Sequence, residues 1–226
     1  MHKTIFRVDE IINYCINKSV LHLGFVQHDQ YEENIIKNTW LHSKIDKVAK
    51  NLVGIDYLEK NVNILKEKYN YEAYSADVMD LIKLDLDKKF DVIICAELIE
   101  HIENPGLMLD GIKKFMNKNS ILIITTPNPW AINHIKFINK NIPEDKWVNK
   151  EHVTWFSYGT LSKLLTRKGY EKIIYDYYYN ESKEAYQYNT NGFRGLIRKI
   201  RRYTKLKRTK KTQYKGLFFI SKKIAI

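Results

Sequence analysis

Residues 90–105 read FDVIICAELIEHIENP. Positions 92–96 are apolar without a break and include β-branched types, with Asp91 ahead of them and acids behind. A short unbroken apolar run of this kind predicts a strand buried on both faces, as in a parallel sheet covered by helices. The run stops at Glu97, and Glu97, Glu100, His101 and Glu103 bring titratable groups to the strand's C-terminal end. In open α/β sheets that edge is where ligands bind. Asn104-Pro105 reads as a helix start, with Asn as the cap and Pro at the first helical position.

Upstream, SVLHLGF (19–25), NLVGID (51–56) and residues 71–76 predict three more strands, ending in Gly24, Asp56 and Asp77. Downstream, SILIITT (120–126) predicts a fifth, stopped by Pro127-Asn128-Pro129. Helices are expected over 5–17, as a leading helix, and over 40–50, 57–69 and 105–117; the polar stretch 26–37 is expected as a loop. This alternation predicts a mostly parallel sheet with helices on both faces. Residues 127–156 are irregular and contain Trp130, Trp147 and Trp155, and are expected to form a lid over the substrate. A helix over 157–168 is capped by Ser157 and stopped by Gly169. The late strands, 170–178 and 215–224, lack a parallel crossover between them and are expected as an antiparallel addition at the sheet edge. A basic helix over 194–208, within an insertion spanning 190–212, is expected before the last strand.

Composition narrows the function classes. The 226 residues are 44% hydrophobic, which suits one globular domain. No apolar run reaches the ~20 residues of a membrane span, and the N-terminus lacks a signal-peptide core. Two cysteines, Cys15 and Cys95, make no disulfide framework, so a cytoplasmic protein is expected. The net charge is +12, and all of it is C-terminal: residues 190–226 hold thirteen Lys and Arg and no acid. Such a stretch suits an anionic membrane surface, at the inner face of the membrane, or a phosphorylated or nucleotide-linked small molecule. Nucleic acid is not expected, since no recognisable RNA-binding module accompanies the charge. No His, Cys and Asp spacing suggests a metal site.

The four parallel strand tips carry Gly24, Asp56, Asp77 and Glu97, and a ligand across that edge would meet a glycine turn and three carboxylates in turn. With VLHLGF, VGIDYLEKNV, SADVMDL, FDVIICAELIEHIENP, ILIITTPNPW and EHVTWFSYGTLSKLLTRKGYEKI in this order, residues 19–178 resemble class I S-adenosylmethionine-dependent methyltransferases. The similarity is to the branch with the ubiquinone-biosynthesis type and small bacterial glycan-modifying enzymes. It implies a Rossmann-like, doubly wound, seven-stranded sheet whose last strand is antiparallel, with a cofactor-binding core over 19–126. It places S-adenosyl-L-methionine on Gly24, Phe25, Asp56, Tyr57, Asp77, Val78, Cys95 and Glu97.

The first motif departs from that pattern. His22 stands where an acid is usual, and Val26 and His28 replace the second and third glycines of GxGxG. A loop with side chains there either displaces the ligand or reshapes the pocket, with His28 reaching the substrate. A downstream Trp40-Leu41-His42 accompanies similarly altered loops in the glycan branch. Asn128, Trp130 and Trp155 are further substrate candidates. His152 and His101 are the candidate bases, because a hydroxyl acceptor must lose its proton as the new bond forms. The expected activity is O-methylation, with N-methylation second, of a small polar acceptor such as a surface-glycan sugar or its precursor. The alternatives are an aromatic or quinone acceptor, or an inactive chain that uses the fold as a binding scaffold.

Overall fold

The computed structural model describes residues 5–26, 31–183 and 209–224. In chain order its strands are β1 (Ile5–Phe6), β2 (Ser19–Leu23), β3 (Asn51–Asp56), β4 (Ala73–Ser75), β5 (Phe90–Ala96), β6 (Met116–Pro127), β7 (Tyr170–Asn180) and β8 (Gly216–Lys223). The helices are α1 (Arg7–Cys15), α2 (Tyr31–Ile36), α3 (Leu41–Asp46), α4 (Glu59–Tyr69), α5 (Pro105–Ile112), α6 (Ile132–Asn139) and α7 (Tyr158–Arg167).

The apolar run of β5 serves two cores at once. Ile93 and Cys95 pack with Met108, Leu109 and Ile112 of α5 and with Leu161 and Leu165 of α7. Val92 and Ile94 face the other way, onto Ile11 and Cys15 of α1 and Leu41 and Ile45 of α3. Both faces of the strand are therefore dry, which is why it shows no polar alternation.

All strands form one sheet in the order β1-β7-β8-β6-β5-β2-β3-β4. β4, β3, β2, β5 and β6 are mutually parallel, with Leu23 opposite both Ile55 and Cys95, and Asp56 opposite Ser75. β8 lies antiparallel between β6 and β7. The sheet thus matches the expected doubly wound form with an antiparallel last strand. It has one strand more than the seven implied by resemblance. The addition is β1, which pairs parallel with β7 and takes the first two residues of the expected leading helix. Two residues are too few to carry a periodicity.

Local signals held where side chains satisfy helix ends. Asn104 Oδ1 accepts from the Leu107 amide at 3.3 Å. Ser157 and Thr160 form a reciprocal capping box at the start of α7. Gly169, at φ 72°, ends it. The expected loop over 26–37 instead contains α2, because Tyr31 buries its ring beside Trp40, 6.4 Å between centroids. Residues 127–156 are more regular than expected and hold α6 and a 3-10 turn, Glu144–Lys146. His28 and the basic stretch 194–208 lie outside the described residues. No helix among the described residues is long and apolar enough to cross a membrane.

Candidate active site

The parallel registers bring the four tips to one edge of the sheet. Backbone bonds extend the ladder past the strand ends: Gly24 N donates to Ile55 O at 2.9 Å, Ala76 N to Asp56 O at 3.0 Å, and Glu97 N to Thr125 O at 2.9 Å. Gly24 turns the chain at φ 66°, and a Cβ there would sit 2.8 Å from Leu98 Cδ1. Glycine therefore lets the Leu98 side chain close on the β2 tip.

The described start of the altered first loop is closely packed. Phe25 and Val26 are fully buried. Trp40 Nε1 donates to Phe25 O at 2.8 Å. The Phe25 ring lies over Gly54, where an added Cβ would come within 2.7 Å of it. Val26 N donates to Asp56 Oδ2 at 3.0 Å, and Leu58 N to Asp56 Oδ1 at 3.2 Å. Two amides thus fix the plane of the Asp56 carboxylate at the sheet edge. Beneath the loop, His22 Nδ1 lies 3.2 Å from His42 Nδ1, both rings buried. Burial pushes His22 down to about 3 and His42 well below the ordinary histidine range. The pair is neutral, and one nitrogen carries the proton that the other accepts. Val26 is packed where the second glycine is missing, and Trp40 and His42 are the partners that seat the neighbouring Phe25.

The remaining cofactor candidates divide by setting. Tyr57 is exposed beside Asp56. Asp77 is exposed and caps the turn Val78–Asp80, accepting from Met79 N at 2.8 Å, while Val78 is buried. Cys95 is fully buried against Met108 Sδ at 3.9 Å, so its side chain is part of the core and only its backbone reaches the tip.

Beyond Glu97, on the β6–β8–β7 side, lies a cavity of about 510 Å³. Trp147, Trp155, His134 and Tyr214 supply aromatic walls, and Asn133, Asn149, Asn180 and Gln213 supply amides. His134 lies tilted against Trp147 at 4.8 Å and meets Trp155 edge to face at 5.4 Å, centroid to centroid. The indole N–H groups bond elsewhere, Trp147 to Ile142 O and Trp155 to Glu144 Oε1.

Of the residues expected to meet substrate, Trp155 and His152 line this cavity. Trp130 is 57% exposed and not part of the lining. Asn128 is fully buried; it donates from Nδ2 to Thr212 O and Tyr214 O, both at 2.9 Å, and accepts from Trp130 N. It anchors the segment before β8 rather than facing the cavity. His134, Tyr178 and Tyr214 had no sequence signal that singled them out.

Glu97 follows the tip of β5 and lines the cavity, and the next residue, Leu98, packs on the Gly24 turn. The φ of Glu97 is 51°, a left-handed conformation that costs a side-chain-bearing residue about 1–2 kcal/mol. Tyr178 donates its hydroxyl to Glu97 Oε2 at 3.1 Å. Glu97 Oε1 is buried and makes no hydrogen bond of ordinary geometry. Burial raises the carboxyl above its usual range; Arg7 opposes that shift, helped by the Thr125 and Tyr178 hydroxyls. Arg7 is itself salt-bridged to Glu181 at 2.6 Å and lies over the Tyr178 ring at 5.9 Å.

Glu100 is 1% exposed, and burial and the nearby Glu97 push it up to about 8. Its backbone oxygen accepts from Val153 N and Thr154 N, which docks residues 152–154 against the turn Ile99–His101. The His101 and His152 rings then meet edge to face at 4.7 Å. Burial lowers His152, and His101 adds to the shift. Glu100, His101 and His152 offer three ligand atoms within 4.8 Å of one another, a spacing that one divalent cation can bridge. No spacing along the chain signals such a set, because residue 152 is remote in sequence and is brought in by the Glu100 carbonyl.

A family model described as a methyltransferase domain matches residues 37–174. Among curated proteins, the chain is 35% identical over 85 residues to a ubiquinone biosynthesis O-methyltransferase of Rickettsia conorii, covering 34% of this chain and 28% of that one. It is 28% identical over 129 residues to the Rickettsia typhi protein of the same name, 55% of this chain and 52% of that one. The chain thus spans about half, or less, of the length of these relatives. Among solved structures, a SAM-dependent methyltransferase from Archaeoglobus fulgidus superposes with a TM-score of 0.58 at 20% identity, over 96% of this chain and 91% of that one. N-methyltransferase NodS from Bradyrhizobium japonicum, in complex with S-adenosyl-L-homocysteine, gives 0.56 at 11% identity, over 96% and 85%.

Proposed function

Because this chain belongs to the methyltransferase-domain family, of the class I S-adenosylmethionine-dependent kind, we propose that it moves a methyl group from S-adenosylmethionine to a hydroxyl of a small polar acceptor, a surface-glycan sugar or its precursor. The single observation behind the acceptor class is the cavity beyond Glu97, where tryptophan faces and four amide side chains suit a hydroxylated ring. A quinone or other aromatic acceptor is the second reading, favoured by the names of the curated relatives.

In this reading the strand tips hold the cofactor. Asp56, whose carboxylate plane the Val26 and Leu58 amides fix, would take the ribose hydroxyls on its remaining lone pairs. The Gly24 turn would meet the amino-acid end, and Tyr57, Asp77 and Val78 the adenine side. When bound, the sulfonium supplies an already activated methyl, so the chain's own work is to position, to exclude water and to manage one proton. Trp147 and Trp155 exclude water, and His152, neutral and supported edge-on by His101, orients the acceptor. The basic stretch 194–208 attracts acceptors that carry phosphate, or the anionic membrane surface where their lipid-linked forms reside.

Calorimetry with S-adenosylhomocysteine tests the reading. Binding in the micromolar range is expected, and Asp56→Ala is expected to abolish it. An absence of binding by the wild type leaves the chain as a scaffold without catalysis.

A further inference from the structure

The helix α6 buries none of its residues, although Ile132, Ile135, Phe137 and Ile138 are apolar. His134 and Phe137 turn inward onto Trp147, at 4.8 and 5.7 Å between ring centroids. Ile132, Ile135 and Ile138 recur every third residue and lie along another side of the helix. That side begins at the cavity, which Ile132 lines, and ends at Ile138, which is 53% exposed. Trp130, just ahead of the helix, is more exposed still. A fixed turn projects it: the buried Asn128, held to Thr212 O and Tyr214 O, accepts from the Trp130 amide at 3.1 Å. The charges here have one sign. Residues 130–143 hold Lys136 and Lys140, both exposed, and no acid.

We propose that α6 and Trp130 dock on an anionic membrane surface, with Trp130 and Ile138 inserted at the headgroup boundary and Lys136 and Lys140 reaching the lipid phosphates. A short helix with lysines on its polar side and exposed isoleucine and tryptophan elsewhere binds in this way, through buried apolar area plus charge. A helix of eight residues is ~12 Å long, whereas a stable protein partner needs roughly 20–30 residues a side. The exposed apolar area is too small for such a partner, and a bilayer requires no matching surface. The inner side of the same segment, with Ile132, Asn133 and His134, is a wall of the acceptor cavity. Docking therefore sets that cavity against the lipid surface, where a lipid-linked acceptor enters without leaving the interface. This surface is a different part of the chain from the basic stretch 194–208, and it stands whichever acceptor is methylated.

The test mixes the full chain with vesicles of phosphatidylglycerol and, separately, of phosphatidylcholine. Cosedimentation with phosphatidylglycerol alone is expected, and brominated acyl chains are expected to quench part of the tryptophan fluorescence. Trp130→Phe is expected to keep the binding and lose that quenching, because Trp40 is buried in the core and Trp147 and Trp155 line the cavity. Trp130→Ser combined with Ile138→Ser, which changes no charge, is expected to lower the partition coefficient at least ~10-fold at an unchanged melting temperature. Lys136→Gln with Lys140→Gln is expected to reduce both the affinity and its dependence on salt. No binding to phosphatidylglycerol by the wild type overturns the proposal. So does binding without bromine quenching, or equal binding by the serine variant, since either leaves the basic C-terminal stretch as the sole anchor. Unchanged affinity in the glutamine variant overturns the part given to the lysines. A wild type that is dimeric without vesicles and becomes monomeric in the serine variant also overturns the proposal, by making α6 a contact between copies. None of these outcomes touches S-adenosylhomocysteine binding, which tests the methyl-transfer reading by itself.

Discussion

The Val26 amide donates to Asp56 Oδ2 at 3.0 Å, which ties the residues just past β2 to the acid that ends β3. Its outer anchor is Trp40, whose Nε1–H holds Phe25 O. Trp40→Phe keeps the aromatic packing and deletes that donor. A buried carbonyl then loses its partner, with a cost of about 1–3 kcal/mol. The expected outcome is a lower melting temperature together with weaker S-adenosylhomocysteine binding by calorimetry. A variant that melts lower and binds as tightly as wild type would detach the loop from the cofactor.

Tyr178 reaches Glu97 only because residue 216 has no side chain. A Cβ on Gly216 would sit 2.1 Å from the Tyr178 ring. Gly216→Ala forces a fully buried ring to move, and overpacking of this kind costs about 1–3 kcal/mol. Thermal melting should fall by several degrees. Tyr178→Phe combined with Gly216→Ala should recover no more than part of the loss, because the ring carbons still meet the added methyl.

The His22–His42 pair makes stability rise with pH. His22 is held down to about 3 in the fold and His42 is also lowered, whereas unfolded histidine titrates near ~6.5. Between those values the unfolded chain binds protons that the folded chain does not. Their contribution is complete above pH ~6.5 and is lost as the pH falls toward 3. Urea midpoints measured down this range should decline, with a shallower slope in His42→Gln. An identical slope in that variant would remove the pair as the cause.

The Glu100, His101 and His152 cluster predicts cation uptake. Zinc ion added to the wild type should raise its melting temperature, EDTA should reverse the rise, and His152→Ala should show neither effect. A rise of equal size in His152→Ala would place the ion elsewhere.

Much of the fold was legible because its information is local. The apolar run of β5, the acids that stop β3 and β5, the Asn104-Pro105 start and the Ser157 cap each act within a few residues. β1 was hidden because two residues carry no pattern, and α2 because one buried tyrosine holds a polar helix in place. The site was legible only at its tips. The approach of Arg7 and Tyr178 to Glu97, of His22 to His42 and of His152 to His101 depends on side chains from strands and loops far apart in the chain. Asn128 shows the converse: a polar residue just past a strand tip looks like a ligand contact, yet its amide is spent on Thr212 and Tyr214.

The threading of β8 between β6 and β7 bears on how the chain is made. While a ribosome is still adding residues up to Gly216, the outer edge of β6 and the edge of β7 away from β1 have no strand between them, and both expose unpaired backbone groups that invite association with other nascent chains. The half of the sheet carrying Asp56 and Asp77 can assemble early, since its neighbours are close in sequence. The half carrying Tyr178 waits for the final segment. Translation halted a few codons short of β8 should yield a polypeptide prone to clumping, with the half carrying Asp56 and Asp77 ordered and the half carrying Tyr178 unbuilt.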